Sequence, residues 1–526
     1  MTRRPSAAAR LCVVGATLTL LAAASCERSS HTTSKLDRAL REWIEHPTAT
    51  ARVLIRTRPG VSDRVIHRLT ARGARWTASM PMPDLIAADV SVDALRGAVR
   101  DKDVIRVSSD AVVKSLGNGS FSNYLYQGIA PAVQLIEMKV LDKNGNGYTS
   151  DVINAINFVV QNRSRLHLGV INLSLGHPIY EPAASDPLVQ AVENAVQAGI
   201  VVVVSAGNFG GDIATHEPAY AGITSPGNAP DAITVGALDT NQTVTRADDS
   251  VAWYSSRGPT WYDGFQKPDL VAPGSHLVSD VSIASTIYSN YPGGITWVGG
   301  KPFLRLSGTS MSAPVVSGVV AAMLDANRSN HPGAPLTPNA VKAILEFTAL
   351  PLQNADALTQ GAGALNAAGA IALAAAIDPS QPVGAWWLTK GIETWTTIAG
   401  QTLAWGQRVV WGDRVIWGNQ IYTNDPAWAL RVVWGDRVVW GDRVVWGNST
   451  VWDGNPAVWG SRVVWGDILI GQTNGTTVTW GSLPGDVTAN RVVWGDLQGL
   501  NIAPTSLSWG ALERAVISSP GNLAVS

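Results

Sequence analysis

The sequence predicts an α/β protein built on a doubly wound parallel sheet, and three observations predict it. Short β-rich runs alternate with helical windows from Tyr126 to about Asn327. The runs VQLIEMKVLD, GVINLSLG, IVVVVSAGN and AITVGAL are largely apolar, as strands buried on both faces must be. Between them, SDVINAINFVVQ and PLVQAVENAVQAG repeat apolar residues at helical spacing. Ligand sites of such sheets gather at the carboxyl ends of strands. Two strands end there in small polar residues, Ser174-Leu175-Gly176 and Ser205-Ala206-Gly207-Asn208.

What precedes this region reads as a leader and a small separate unit. The opening MTRRPSAAARLCVVGATLTLLAAASC sets three arginines before an apolar stretch from Leu11 to Ala24, the pattern of an export signal over residues 1–26. The stretch is shorter than the roughly 20 apolar residues a membrane-spanning helix needs. Ala23-Ala24-Ser25-Cys26 resembles a bacterial lipoprotein signal, with Ala where Leu is usual, so release and lipidation at Cys26 both stay open, and the location is secreted or cell envelope. The only two cysteines, Cys12 and Cys26, lie in this leader, so the exported body has no internal disulfide. After a linker over 27–50, residues 51–113 alternate as strand, helix, two strands, helix and strand, ending in VIRVSS. That order is a ferredoxin-like βαββαβ unit, which says little about function.

Beyond the α/β region, taken as 114–378, a Pro/Gly-rich linker over 379–400 leads to a different texture over 401–510 and a tail over 511–526. Of the 21 tryptophans, 16 lie from Trp386 onward, and RVVWGD recurs with Trp434, Trp440, Trp446 and Trp452 six apart. An even period keeps those rings on one face of an extended chain. A meander of short strands and a β-solenoid both fit. Aromatic rows of this kind build a repeat's own core or contact polysaccharide at a cell surface. The near balance of 39 basic and 40 acidic residues, net −1, gives no phosphate-binding surface, so nucleic acid is not an expected partner.

The strongest chemical signal is Leu306-Ser307-Gly308-Thr309-Ser310-Met311-Ser312-Ala313-Pro314, followed by the helical run VVSGVVAAMLDAN. A serine at a helix start gains from the helix dipole and free amides, which suit a nucleophile whose attack creates an oxyanion; an ordinary helix-capping serine fits the same position. The string resembles the nucleophile segment of the subtilisin family of serine peptidases, and YQGIAP, VINLSLG, VVVSAGN, AITVGA, SSRGP and KPDLVAPG look like further landmarks of that family's catalytic domain, in order. The resemblance implies Ser310 as nucleophile, Asn208 as side-chain donor of the oxyanion hole, and Ser174, Leu175, Gly176, Ser205, Ala206 and Gly207 as walls of the pocket for the residue before the scissile bond. It also implies that residues 51–113 are an inhibitory prodomain, itself a partner of the peptidase domain, and that the substrate is a peptide or protein.

The same resemblance requires an Asp in a DSG or DTG setting and a His opening a helix in an HGTH setting, and neither is present. Only Lys114 to Leu125 separate the end of the small unit from YQGIAP, where the family places several dozen residues, including a central strand and the His-bearing helix. Of the eight histidines, His31, His46 and His67 fall in the leader or small unit; His167 ends a helix; His216 and His276 sit in connections; His331 follows the nucleophile helix. His177 follows the pocket strand and is placed to line the cleft, with nothing to aim it at the Ser310 hydroxyl. Asp142-Lys143-Asn144-Gly145-Asn146-Gly147 resembles the start of a calcium loop, but its twelfth position is Ile153, where a Glu is needed, so it reads as a Gly-rich loop. No cofactor is expected, and although relatives bind calcium, no ligand set is identifiable here. The expectation is a secreted serine endopeptidase precursor with little or no activity; the alternative is a non-catalytic peptide binder or a surface protein working through its repeats.

Overall fold

A computed structural model describes residues 35–47, 50–115, 128–142, 144–211, 216–411, 414–417 and 421–424, with the dipeptides 445–446, 464–465 and 493–494. The leader with Cys12 and Cys26, and Trp434, Trp440 and Trp452 of the repeats, lie outside the described residues. The contacts divide the chain into two units, with the main break between Ala111 and Val112 and the short stretch Ser185–Pro187 grouped with the first.

The first unit begins with α1 (Arg38–Glu45) and continues β1 (Ala51–Thr57), α2 (Ser62–Ala71), β2 (Trp76–Ser79), β3 (Leu85–Val90), α3 (Val92–Arg100) and β4 (Val104–Ser109). Its antiparallel sheet has the order β2-β3-β1-β4. Val53, Ile55, Ile86 and Val107 bury against Val65, Leu69 and Leu95 of the helices. Asp37, 1% exposed, caps α1 through Leu40 and takes the Ser109 amide at 2.6 Å, fastening the helix to β4.

In the second unit the chain forms β5 (Val112–Ser115), β6 (Asn146–Tyr148), α4 (Thr149–Asn162), β7 (Val170–Leu173), β8 (Leu175–Pro178), α5 (Pro187–Gln197), β9 (Val201–Ser205), β10 (Thr224–Ser225), β11 (Ile233–Asp239), β12 (Ser250–Val251) and β13 (Leu270–Pro273). A meander of β14 (Leu277–Asp280), β15 (Ile295–Val298) and β16 (Lys301–Leu306) then leads into α6 (Thr309–Asn330), α7 (Pro338–Thr348) and α8 (Ala367–Ala376). The hairpins β17 (Trp395–Ile398) with β18 (Gln401–Ala404), and β19 (Arg408–Trp411) with β20 (Arg414–Trp417), follow.

β7, β9, β11 and β13 lie side by side and parallel, with β12 antiparallel on β11. The uninterrupted apolar runs that predicted the sheet have the burial it requires: all five residues of β9 are buried. α6 is long and apolar enough in composition to cross a membrane, but here Val316, Val319, Val320 and Met323 enter the core at 1% exposure or less, with Ile344 and Phe347 of α7 and Leu373 of α8.

Three expectations need correction. VQLIEMKVLD was expected as a buried strand, yet residues 133–140 form no strand and those up to 139 are exposed, because no ladder partner stands beside them among the described residues. The strand expected to end the small unit near Val113 is two strands, and the second, β5, pairs within the other unit. His167 does not end a helix: α4 stops at Asn162 and His167 lies in a turn with φ 53°. In the repeats, β19 and β20 pair antiparallel, whereas Val445-Trp446, Val464-Trp465 and Val493-Trp494 (β21, β22 and β23) pair in parallel register.

Beneath the sheet a buried charge cluster closes the core. Asp269, which precedes β13, accepts from Lys267 at 2.8 Å and Lys342 at 3.0 Å, while Lys342 Nζ also donates to the carbonyls of Pro230 and Ala232. Burial drives Lys267 down to about 8 against the pull of Asp269. A lysine depressed in the folded state is protonated more in the unfolded chain, so its contribution to stability rises with pH from about 8 until the unfolded lysine titrates near ~10.4. Denaturation followed over that window is expected to show this rise in the native chain and to lose it in Lys267→Met.

Candidate functional site

The residues singled out in the sequence converge at the carboxyl ends of β7 and β9 and the start of α6. Gly308 is the N-cap of α6, so Ser310 stands one residue inside the helix and is not its cap. Four residues on, Pro314 has no N–H to offer the Ser310 carbonyl. Ser174 supplies the missing donor: its hydroxyl donates to Ser310 O at 2.9 Å. In return Ser310 Oγ donates to Ser174 O at 3.4 Å. Ser310 is 2% exposed. Its hydroxyl therefore points at the backbone of the wall strand and is closed off from solvent.

Asn208 sits across the helix start. Its Oδ1 accepts from Thr309 N and Thr309 Oγ1, both at 3.0 Å, which caps the first turn of α6. With the oxygen so engaged, the amide nitrogen is the end left to donate, as an oxyanion-hole residue requires. Thr309 Oγ1 also bonds the Gly207 amide and carbonyl, each at 3.2 Å.

The two segments expected as walls both come close to Thr224. A Cβ on Gly176 would come within 2.8 Å of Thr224 Oγ1, and one on Gly207 within 3.0 Å of Thr224 Cγ2. Gly207 has φ 111°, so the close approach and the backbone both exclude a side chain. Ser205 Oγ reaches Leu173 O at 3.5 Å, joining one wall to the strand before the other, and Ala206 is fully buried.

The exposed edge that the Leu175-Gly176 wall would offer to a peptide is taken. β5 runs antiparallel to β8 with Ser115 opposite Leu175 and Lys114 opposite Gly176. The other edge of β8 pairs with β10.

No histidine or carboxylate hydrogen-bonds Ser310 among the described residues. Seven of the eight histidines are described, all but His31. His177, placed by the sequence next to the cleft, lies inside β8 at 6% exposure, with Nδ1 against Pro178 O at 2.8 Å and its ring stacked on Tyr180. It is a core residue.

Comparison with known proteins settles the ancestry of this arrangement: the model of the subtilase family, peptidase family S8, matches residues 107–370. The chain belongs to the subtilase family. Serine protease AprX of Bacillus subtilis strain 168 is 39% identical over 255 residues, 48% of this chain and 54% of AprX. Subtilisin DY of Bacillus licheniformis is 33% identical over 239 residues, 45% of this chain and 68% of that protein. Pyrolysin of Pyrococcus furiosus is 32% identical over 268 residues, 46% of this chain and 17% of pyrolysin. The chain thus spans about half the length of AprX and a sixth of pyrolysin. Among solved structures, fervidolysin of Fervidobacterium pennivorans, a keratinolytic enzyme related to subtilisin, aligns with a TM-score of 0.45 at 18% identity over 64% of this chain and 62% of its own.

Against this subtilase frame, several site residues were missed by sequence reasoning. Thr309 and Thr224 carry no motif of their own and act only through distant partners. Pro314, four residues after Ser310, was visible, and its missing N–H was the available signal. Among the described residues no group of three or more His, Cys, Asp or Glu is placed to hold a metal. In the loop weighed for calcium, Asp142 Oδ1 is engaged by the amides of Asn144 and Asn146 at 2.8 and 3.0 Å.

Replacing Ser174 with Ala should cost about 1–3 kcal/mol, because it leaves the buried Ser310 carbonyl without a donor. The loss should shrink in a Pro314→Ala background, where residue 314 regains a donor for Ser310 O. Urea unfolding of the two single variants and the double variant measures that coupling.

Proposed function

We propose that the chain is an exported subtilase precursor in which the nucleophile, the oxyanion donor and the peptide-binding wall persist without a general base, so that it holds an extended strand in its cleft and cleaves peptide bonds negligibly. The observation that carries this reading is the Ser310 hydroxyl, whose hydrogen bond runs to the Ser174 carbonyl. A serine without a base keeps its proton at neutral pH and is a weak nucleophile. In a subtilisin, removing the nucleophile or the base costs about 10⁶ in turnover, roughly 8 kcal/mol of barrier. Oxyanion stabilisation by Asn208 would leave a residual rate far below that of an intact enzyme.

The pairing of β5 with β8 favours the binder form of this reading. Antiparallel addition of an extended segment to a strand edge is a common mode of peptide recognition, and here the segment is the chain's own. On this reading residues 51–113 act as a prodomain that stays attached, and the ligand class is an extended peptide or protein segment. Calcium has no assigned place in it.

Intact mass of the purified chain and of Ser310→Ala tests the proposal. Equal masses, with Val112–Ser115 retained in both, are expected. A loss of mass in the native chain alone, ending C-terminal to Ser115, would overturn it.

A further inference from the structure

β7 pairs with β9 along one side only; no strand lies on its other side among the described residues. A row of backbone N–H and C=O groups at an unpaired edge is a template for another strand. The same molecule displays an unpaired strand-like segment. Residues 131–139 are all exposed, among them Val133 at 40%, Leu135 at 59%, Ile136 at 42% and Met138 at 36%. Four large apolar side chains within the six residues 133–138 is a pattern a protein surface does not normally carry without a partner.

The two features lie on one turn of α6 yet do not pair. Ser317 Oγ donates to Asn172 Oδ1 of β7 at 3.0 Å, and at the next position a Cβ on Gly318 would fall 2.7 Å from Ile129 Cβ. At the far end the segment is held where Gly147 passes the Val140 carbonyl so closely that a Cβ would meet it. Both ends are pinned and the middle is presented outward. Beside it lies an open groove of about 520 Å³ in which Met138, Val140, Leu141, Ala155 and Phe158 form an apolar strip flanked by Lys139, Asp151 and Asn154, and Phe158 is itself 41% exposed.

We infer that the occupant of the β7 edge is the 131–139 segment of a second copy of this chain. The edge needs an extended, largely apolar strand, and this is the segment of the described chain that has that character and no ladder of its own. Because each copy carries one such segment and one open edge, the exchange is reciprocal, and a two-fold dimer closes with two added ladders. Anchored ends mean the segment docks without unthreading. The inference does not depend on whether Ser310 is active.

Sedimentation equilibrium of the full chain, with Leu135→Glu/Ile136→Glu as the variant, is the test. Both side chains are exposed, so the monomer fold tolerates the change. The native chain is expected to be a dimer at low micromolar concentration, and the variant to dissociate at least about 100-fold more readily, since a charged pair replaces two apolar anchors. Hydrogen exchange should show the β7 amides that point away from β9 protected in the native dimer and open in the variant, while those bonded to β9 stay protected in both. A native chain that stays monomeric, or a dimer whose dissociation constant the double substitution leaves unchanged, would overturn the inference.

Discussion

The reciprocal bond between Ser174 and Ser310 is the constraint on which the cleft depends. Pro314 withholds the amide that would close the first turn of α6 around Ser310. A buried carbonyl without a partner is costly, so a donor must come from elsewhere. It comes from the wall strand. That exchange ties the end of β7 to the head of α6 and leaves the Ser310 hydroxyl facing a carbonyl. Asn208 and Thr309 then brace the other side, so Ser174, Gly207, Asn208, Thr309 and Ser310 are joined through one set of hydrogen bonds.

The supports of this assembly lie on one flank of the sheet. α6 packs on β7, β9, β11 and β13, and the Lys267–Asp269–Lys342 cluster fastens β13 to α7 from beneath. Breaking such a cluster by removing one partner is far more damaging than its net worth as an interaction. On the other flank β7 has no further strand beside it among the described residues, and residues 131–139 stand in solvent.

Much of this was legible. The apolar runs at 201–205 and 233–238 announced buried parallel strands because a strand covered on both faces cannot alternate. The LSGTSMSAP string placed Ser310 at a helix start, and the segments 174–176 and 205–208, read as strand ends, lie beside that start. What escaped was whatever depends on absent or distant partners. VQLIEMKVLD has the composition of a core strand, but composition reports what a segment can do, and a strand also needs a neighbour. β5 was read as the tail of the preceding unit because Val112-Val113 suits a strand in either sheet. His177 looked like a cleft residue by position, but the β8 register turns it into the core.

The most direct measurement is the labelling of Ser310 by a fluorophosphonate, which reports an activated serine independently of substrate preference. No incorporation above that of Ser310→Ala is expected, even at long exposure. Rapid, stoichiometric labelling of the native chain that the substitution abolishes would contradict it, since it would require a base delivered to Ser310.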